Sequence, residues 1–286
     1  MNHKVIFLFF MMLSSVVWAS SNMQTKHLPD NTAGPDTTIK EDEFIPKDAP
    51  EKLVRLMNEL AANETNPLLK KHFQSIDLLT MDTTHGVKIS EDDIKEANQV
   101  IKFFKSDGVK WETYVIGPRP LIMSFISPTD GKISYYKLFL PKNFDEKHDN
   151  YPLYFELHGS GGGKNNNPRR QVFMSLKPEV QGVTSQGYRK EGFLVYPWGR
   201  GDRGYRDIAE TDVFEVLNHF DNMFKTDAKR QYIFGFSMGG GGTFKIATKT
   251  IERWTAVGIY SGAFRNATAE QVEIFKNTPV WMAWGD

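Results

Sequence analysis

The chain has 286 residues, enough for one large domain or two small ones, and its 40% hydrophobic content is ordinary for a globular protein. Lys+Arg and Asp+Glu both number 35, so the formal charge is +0 and there is no basic excess to suit nucleic acid as a partner. The absence of cysteine excludes disulfides, thiolate metal sites, cysteine nucleophiles and thioether lipid anchors.

The first elements read as targeting. Lys4 supplies a positive start, Val5 to Leu13 an apolar run, and Val17-Trp18-Ala19 a compact stretch before a cleavage site, so residues 1–19 are expected to be a signal peptide. The apolar run is too short to span a bilayer. A secreted or periplasmic protein with no stable membrane span after signal removal is expected. Residues 20–44 are polar and aperiodic and read as a flexible tether.

Residues 45–112 read as a small helical region. Asp48 and Glu51 form a capping-box pattern with Pro50 in the first turn, and Leu53, Leu56, Met57 and Leu60 follow at helical spacing. A second helix begins near Asn66-Pro67. A third opens on Ser90 and Asp93, again a capping box, and stops at Gly108. No catalytic residues cluster here; a layer packed on the main domain is the expectation, with a substrate-binding cap as the alternative.

The pattern changes after residue 112. Leu121 to Ile126 and Ile133 to Leu140 read as strands around the turn Pro128-Thr129-Asp130-Gly131. Strands at Leu153–Leu157, Phe193–Tyr196, Tyr232–Phe234, Thr255–Tyr260 and Val280–Ala283 then alternate with helices at Val213–Phe224, Thr243–Lys249 and Glu270–Lys276. Such alternation predicts an α/β fold, a mostly parallel sheet with helices on both faces. Sites in such sheets lie at the carboxyl ends of the strands.

Two motifs fall there. Gly235-Phe236-Ser237-Met238-Gly239 lies between a strand and a helix, where a sharp turn lifts a serine hydroxyl out of the sheet as a nucleophile. His158-Gly159-Ser160-Gly161-Gly162-Gly163 follows another strand. Acyl transfer passes through an oxyanion that two preorganised N–H groups must meet. Met238 is the expected first donor, and Ser160 or Gly161 the second. His158 itself reads better as a brace for the loop than as a base. Phosphate-binding readings of the glycine run fail, because His158, Lys164 and Asn165 occupy positions where those motifs need glycine or a hydroxyl. After the strand ending at Tyr196, Trp198, Arg200 and Tyr205 are candidates for contacting substrate, with a self-paired surface loop as the alternative. Asp227 before Arg230 is expected to brace the chain entering the Ser237 strand.

With these residues in place, the stretch from about 115 to 286 resembles the α/β-hydrolase superfamily. Within it the chain is similar to secreted esterases of the polyhydroxybutyrate-depolymerase and feruloyl or acetylxylan esterase type, and to the catalytic domain of prolyl oligopeptidases. The stretch Pro279-Val280-Trp281-Met282-Ala283-Trp284-Gly285-Asp286 adds to that likeness. The resemblance implies a domain over 113–286 and a triad in the order Ser, acid, His. No histidine follows Ser237 in this sequence. The acid and the histidine are therefore expected beyond residue 286, and the hydrolase domain is expected to be incomplete at its carboxyl end.

The resulting expectation is a serine esterase acting through an acyl-enzyme on a small-molecule or polymer-linked ester, with no metal and no cofactor. The alternatives are a non-catalytic or truncated hydrolase-like binding protein and a prolyl-oligopeptidase-type peptidase. The sequence specifies no oligomeric state.

Overall fold

A computed structural model describes residues 45–106, 114, 119–148, 150–176, 191–263 and 267–284. The expected signal peptide, tether and Gly108 helix stop lie outside them, as do Gly285 and Asp286. The described helices and the sheet share one compact unit, Phe44–Asp286.

Seven strands build one sheet: β1 (Leu121–Ile126), β2 (Ile133–Phe139), β3 (Tyr151–Leu157), β4 (Phe193–Pro197), β5 (Thr226–Phe236), β6 (Ala256–Tyr260) and β7 (Val280–Ala283), in the order β1-β2-β4-β3-β5-β6-β7. β2 runs antiparallel to both β1 and β4, and the remaining neighbours are parallel. The parallel part is tied together by helices α5 (Ile208–Met223) and α6 (Met238–Lys249). On α5 the buried Ala209, Val213, Val216 and Phe220 recur at three or four residues, the spacing that places side chains on one face. Phe155, Val195, Ile233 and Ile259 supply the apolar centre of the sheet, each fully buried.

The strand order locates the site. From β3 the chain crosses to β4 on one side, whereas from its neighbour β5 it crosses to β6 on the other. Loops that depart in opposite directions from neighbouring parallel strands leave a crevice at their carboxyl ends. His158 follows β3 and Ser237 follows β5.

Helices α1 (Ala49–Asn63), α2 (Pro67–Thr80) and α3 (Glu91–Phe104) precede the sheet. Asn66 caps α2 by accepting from the Leu68 and Leu69 amides, and the Ser90–Asp93 capping box forms in both directions. The box expected at Asp48 does not form. Asp48 sits at φ −89°, ψ 20° rather than extended, so its carboxylate turns to Lys52 at 2.9 Å. A helix absent from the sequence reading, α4 (Pro168–Leu176), packs against α2 and α3.

The helical layer also protects the outer edge of the sheet. Alternate amides of an edge strand point away from the sheet and need partners. Here Ile122 N–H donates to His72 Nδ1 at 2.8 Å, and Ser124 N–H to Ser75 Oγ at 2.9 Å. The other ring nitrogen of His72 meets the Tyr114 hydroxyl at 3.1 Å. Burial pushes the imidazole down from 6.5 to about 3. A group depressed in the folded state contributes stability that is complete above its unfolded value and lost as the pH falls towards its folded one. The melting temperature of the protein should therefore drop as the pH falls from 6.5 towards about 3. A His72→Gln variant should show a shallower drop, and an identical slope in the variant would exclude His72 as a source of the acid sensitivity.

Candidate functional site

Ser237 joins β5 to α6 at φ 56°, ψ −117°, a conformation sparsely populated by residues with a β-carbon. Its neighbours hold it there. Ser237 N–H donates to the Tyr260 carbonyl on β6 at 2.8 Å, and Gly241 N–H donates to the Ser237 carbonyl at 3.1 Å. The turn is tight enough to require the two motif glycines. A β-carbon on Gly239 would lie 2.0 Å from the Leu157 carbonyl oxygen, and one on Gly235 2.5 Å from the Gly239 oxygen. Helix α6 can therefore press its first turn onto the end of β3. Arg200, Tyr205, Asp207 and Ser261 share the left-handed φ of Ser237. All five residues follow the carboxyl ends of β4, β5 and β6, so backbone strain is concentrated at the edge that carries the site.

The loop after β3 lies against this turn. A β-carbon on Gly159 would approach the Phe236 carbonyl oxygen to 3.3 Å and the Ser237 Cβ to 3.8 Å. Asp202 fixes the rest of the loop, accepting from Gly161 N–H at 2.9 Å, Gly163 N–H at 2.6 Å and Asn165 Nδ2 at 2.8 Å. These donors lower its carboxyl below the usual range against the opposing effect of burial. The Gly161 amide, one of the two expected second donors, is thus directed at Asp202. His158 braces the loop: its Nδ1 contacts the Gly159 carbonyl at 2.9 Å and its Nε2 the Trp198 carbonyl at 2.8 Å.

The expected substrate contacts on the next loop are corrected. Trp198 and Arg200 are 5% exposed and Tyr205 0%. Trp198 stacks on Tyr135 and donates its indole N–H to the Asn165 carbonyl at 2.8 Å. Arg200 is spent on Asp212 and Asp130, at 2.7 and 3.1 Å. Tyr205 donates its hydroxyl to the His158 carbonyl at 3.0 Å. A loop of left-handed turns brings these large side chains inward, which residue type alone did not reveal. Arg200 and Asp202 thus brace the loop from within. Asp227 pairs with Arg230 at 2.7 Å, as a brace at the start of β5.

The sequence reading passed over Phe236. Although aromatic, it is 61% exposed beside Ser237. Its place beside Ser237 inside the serine motif was the available signal. The remaining described histidines are engaged elsewhere. His219 stacks on Phe125 and meets the Tyr136 hydroxyl at 3.1 Å, His72 serves β1, His85 contacts the Ile133 carbonyl at 2.7 Å, and the exposed His148, before the amino end of β3, lies against the Tyr151 ring. No group of residues suited to a metal ion occurs among the described residues. None of the described helices is long and apolar enough to cross a membrane.

No protein-family model matches the chain. It is 26% identical over 153 residues to a probable feruloyl esterase C of Aspergillus clavatus, covering 51% of this chain and 52% of that protein. The chain thus spans about half the length of the curated relative it matches. Among solved structures it is similar to a thermostable esterase, with 23% identity, TM-score 0.46, and coverage of 59% of this chain and 47% of the other. It is also similar to a ferulic acid esterase, with 25% identity, TM-score 0.40, and coverage of 53% and 61%. The fold is that of the α/β-hydrolases. Within that fold the chain resembles the esterases.

Proposed function

We propose that this chain carries the nucleophile and oxyanion donors of a secreted serine ester hydrolase. The strained Ser237 between β5 and α6, with Gly159 pressed against it, is the observation that carries this reading. Ser237 Oγ attacks the ester carbonyl carbon, forming a C–O bond while the carbonyl π pair moves onto oxygen. The Met238 and Ser160 amides receive that oxyanion. Collapse expels the alcohol and leaves an acyl-enzyme, which water cleaves to acid and free serine. Phe236 offers an apolar face beside the reacting carbonyl, which suits an aromatic acyl group. Removing the Ser237 proton and protonating the leaving alcohol require a histidine. Among the described residues no histidine is bonded to Ser237, so this reading takes the histidine and its acid partner from outside them. The amino-terminal pattern of Lys4, Val5 to Leu13 and Val17-Trp18-Ala19 supports export, and export suits an acyl group carried on a polysaccharide.

The engagement of His158 with its own loop favours a second reading, a hydrolase-like binding protein. Turnover of methyl ferulate, with and without added imidazole and beside a peptide anilide, separates the two. Ester cleavage lost in Ser237→Ala is the expected result. Ester binding without turnover under both conditions would favour the binding protein, and preferential anilide cleavage would favour a peptidase.

A further inference from the structure

We propose that Arg169 is a positioning residue through which the helical layer holds the oxyanion loop, an assignment that rests on the esterase reading above. The loop over residues 158–163 contains four glycines and a single serine after its histidine, so it has little local preference for one conformation. An oxyanion hole works only when its donors are held in place before the reaction. That placement has to come from outside the loop.

Arg169 is the second residue of α4 and only 1% exposed. Its Nε donates to the Thr80 carbonyl at 2.5 Å, one terminal nitrogen to the Asp82 carbonyl at 2.6 Å, and the other to Asp93 Oδ2 at 3.3 Å. Thr80 ends α2 and Asp93 lies in the first turn of α3. One planar guanidinium thus satisfies an orphan carbonyl at the end of one helix and a carboxylate at the start of the next, a fork that lysine cannot reproduce. Asn167 adds a bond from Nδ2 to Asp93 Oδ1 at 3.3 Å.

The same short segment grips the loop at its other end. Asn165 Nδ2 reaches Asp202 at 2.8 Å, the Gly159 carbonyl at 3.1 Å and the His158 ring at 3.2 Å. Asn166 Oδ1 accepts from the Asp202 amide at 2.9 Å. Asn165, Asn166, Asn167 and Arg169 therefore form a continuous strap from the helical layer to the oxyanion loop. A second contact runs in parallel: His85, between α2 and α3, meets the Trp198 ring edge-on at 4.7 Å, and Trp198 in turn holds the Asn165 carbonyl. A layer present only to cover apolar surface would not require a buried cation in this place.

Amide hydrogen exchange at Gly161 and Gly163 tests the strap without depending on activity. In Arg169→Lys, exchange at these two amides should accelerate roughly tenfold relative to the amides of β6. Leu53→Ala serves as the control, because it removes a fully buried side chain from α1 and touches none of the strap. It should lower the melting temperature while leaving that ratio unchanged. If Arg169→Lys does not fold, Asn167→Ala should shift the ratio in the same direction by less. The proposal is overturned if the ratio stays constant in the folded strap variant, or if Leu53→Ala changes it equally. Phosphonylation by a fluorophosphonate should slow in Arg169→Lys. An unreactive parent protein would count against the esterase reading alone, because the exchange measurement would still decide the strap.

Discussion

Replacing Ser237 with glycine should raise the melting temperature by roughly 2–4 °C while abolishing fluorophosphonate labelling. The two effects share one cause. At φ 56°, ψ −117° the serine β-carbon is held against its own backbone, a conformation costing on the order of 1–3 kcal/mol that glycine adopts without that penalty. Part of the relief is offset by the extra freedom glycine gives the unfolded chain, leaving a net gain of about 1 kcal/mol. The strain persists because both backbone groups are satisfied, by Tyr260 and Gly241, and because the glycines at 235 and 239 leave no alternative path for the turn. Ser237→Ala provides the comparison. It removes the hydroxyl and keeps the β-carbon, so labelling should vanish while the melting temperature stays near that of the parent. A glycine variant less stable than the alanine variant would show that the turn stores no strain. Labelling that survives either substitution would place the nucleophile elsewhere.

Arg200→Ala should cost about 3–5 kcal/mol of stability, the largest loss expected from a single side chain outside the apolar core. Arg200 bonds Asp212 Oδ1 at 2.7 Å and both oxygens of Asp130 at 3.1 Å. Asp212 is fully buried, and burial raises its carboxyl despite the guanidinium, whereas the more open Asp130 is lowered by its hydrogen bonds and the same cation. Removing the arginine strands a carboxylate that water cannot reach. Arg200→Met combined with Asp212→Leu should recover most of the loss, since a buried ion pair and an apolar pair of similar volume are often close in stability. Denaturant titration of the three proteins is the measurement. A loss under about 1 kcal/mol for the single variant would mean that Asp212 finds another partner. The effect should extend to the site, because Arg200 and Asp202 share one tight loop and Asp202 holds the Gly161 and Gly163 amides.

Much of the framework was legible because it depends on short-range rules. The Ser90–Asp93 box and the Asn66 cap were readable because a side chain three residues from an amide reaches it whenever the cap is extended. Asp48 has the same residue pattern and fails, since its backbone is not extended. α5 begins at Ile208, five positions before the periodicity was expected to start, and β5 begins at Thr226 rather than Tyr232. In β5 mostly polar residues lead into the apolar stretch, and in α5 Glu210, Thr211 and Asp212 separate Ile208 and Ala209 from it, so hydrophobic spacing registers neither start. α4 carries Arg169, Arg170 and Gln171 in its first turn and was invisible for the same reason.

The sequence by itself determined the alternation of strands and helices, the serine between its glycines and the glycine loop after β3. Each of these is set by residues within a few positions of one another. Only the tertiary structure decided that the Gly161 and Gly163 amides are spent on Asp202. It also decided that Trp198, Arg200 and Tyr205 point inward, and that Arg169 connects the helical layer to the loop. Those outcomes depend on partners 12 to 89 positions away. A side chain's chemistry says what it can bond, but the packing of distant elements settles which bond forms and how much water remains around it.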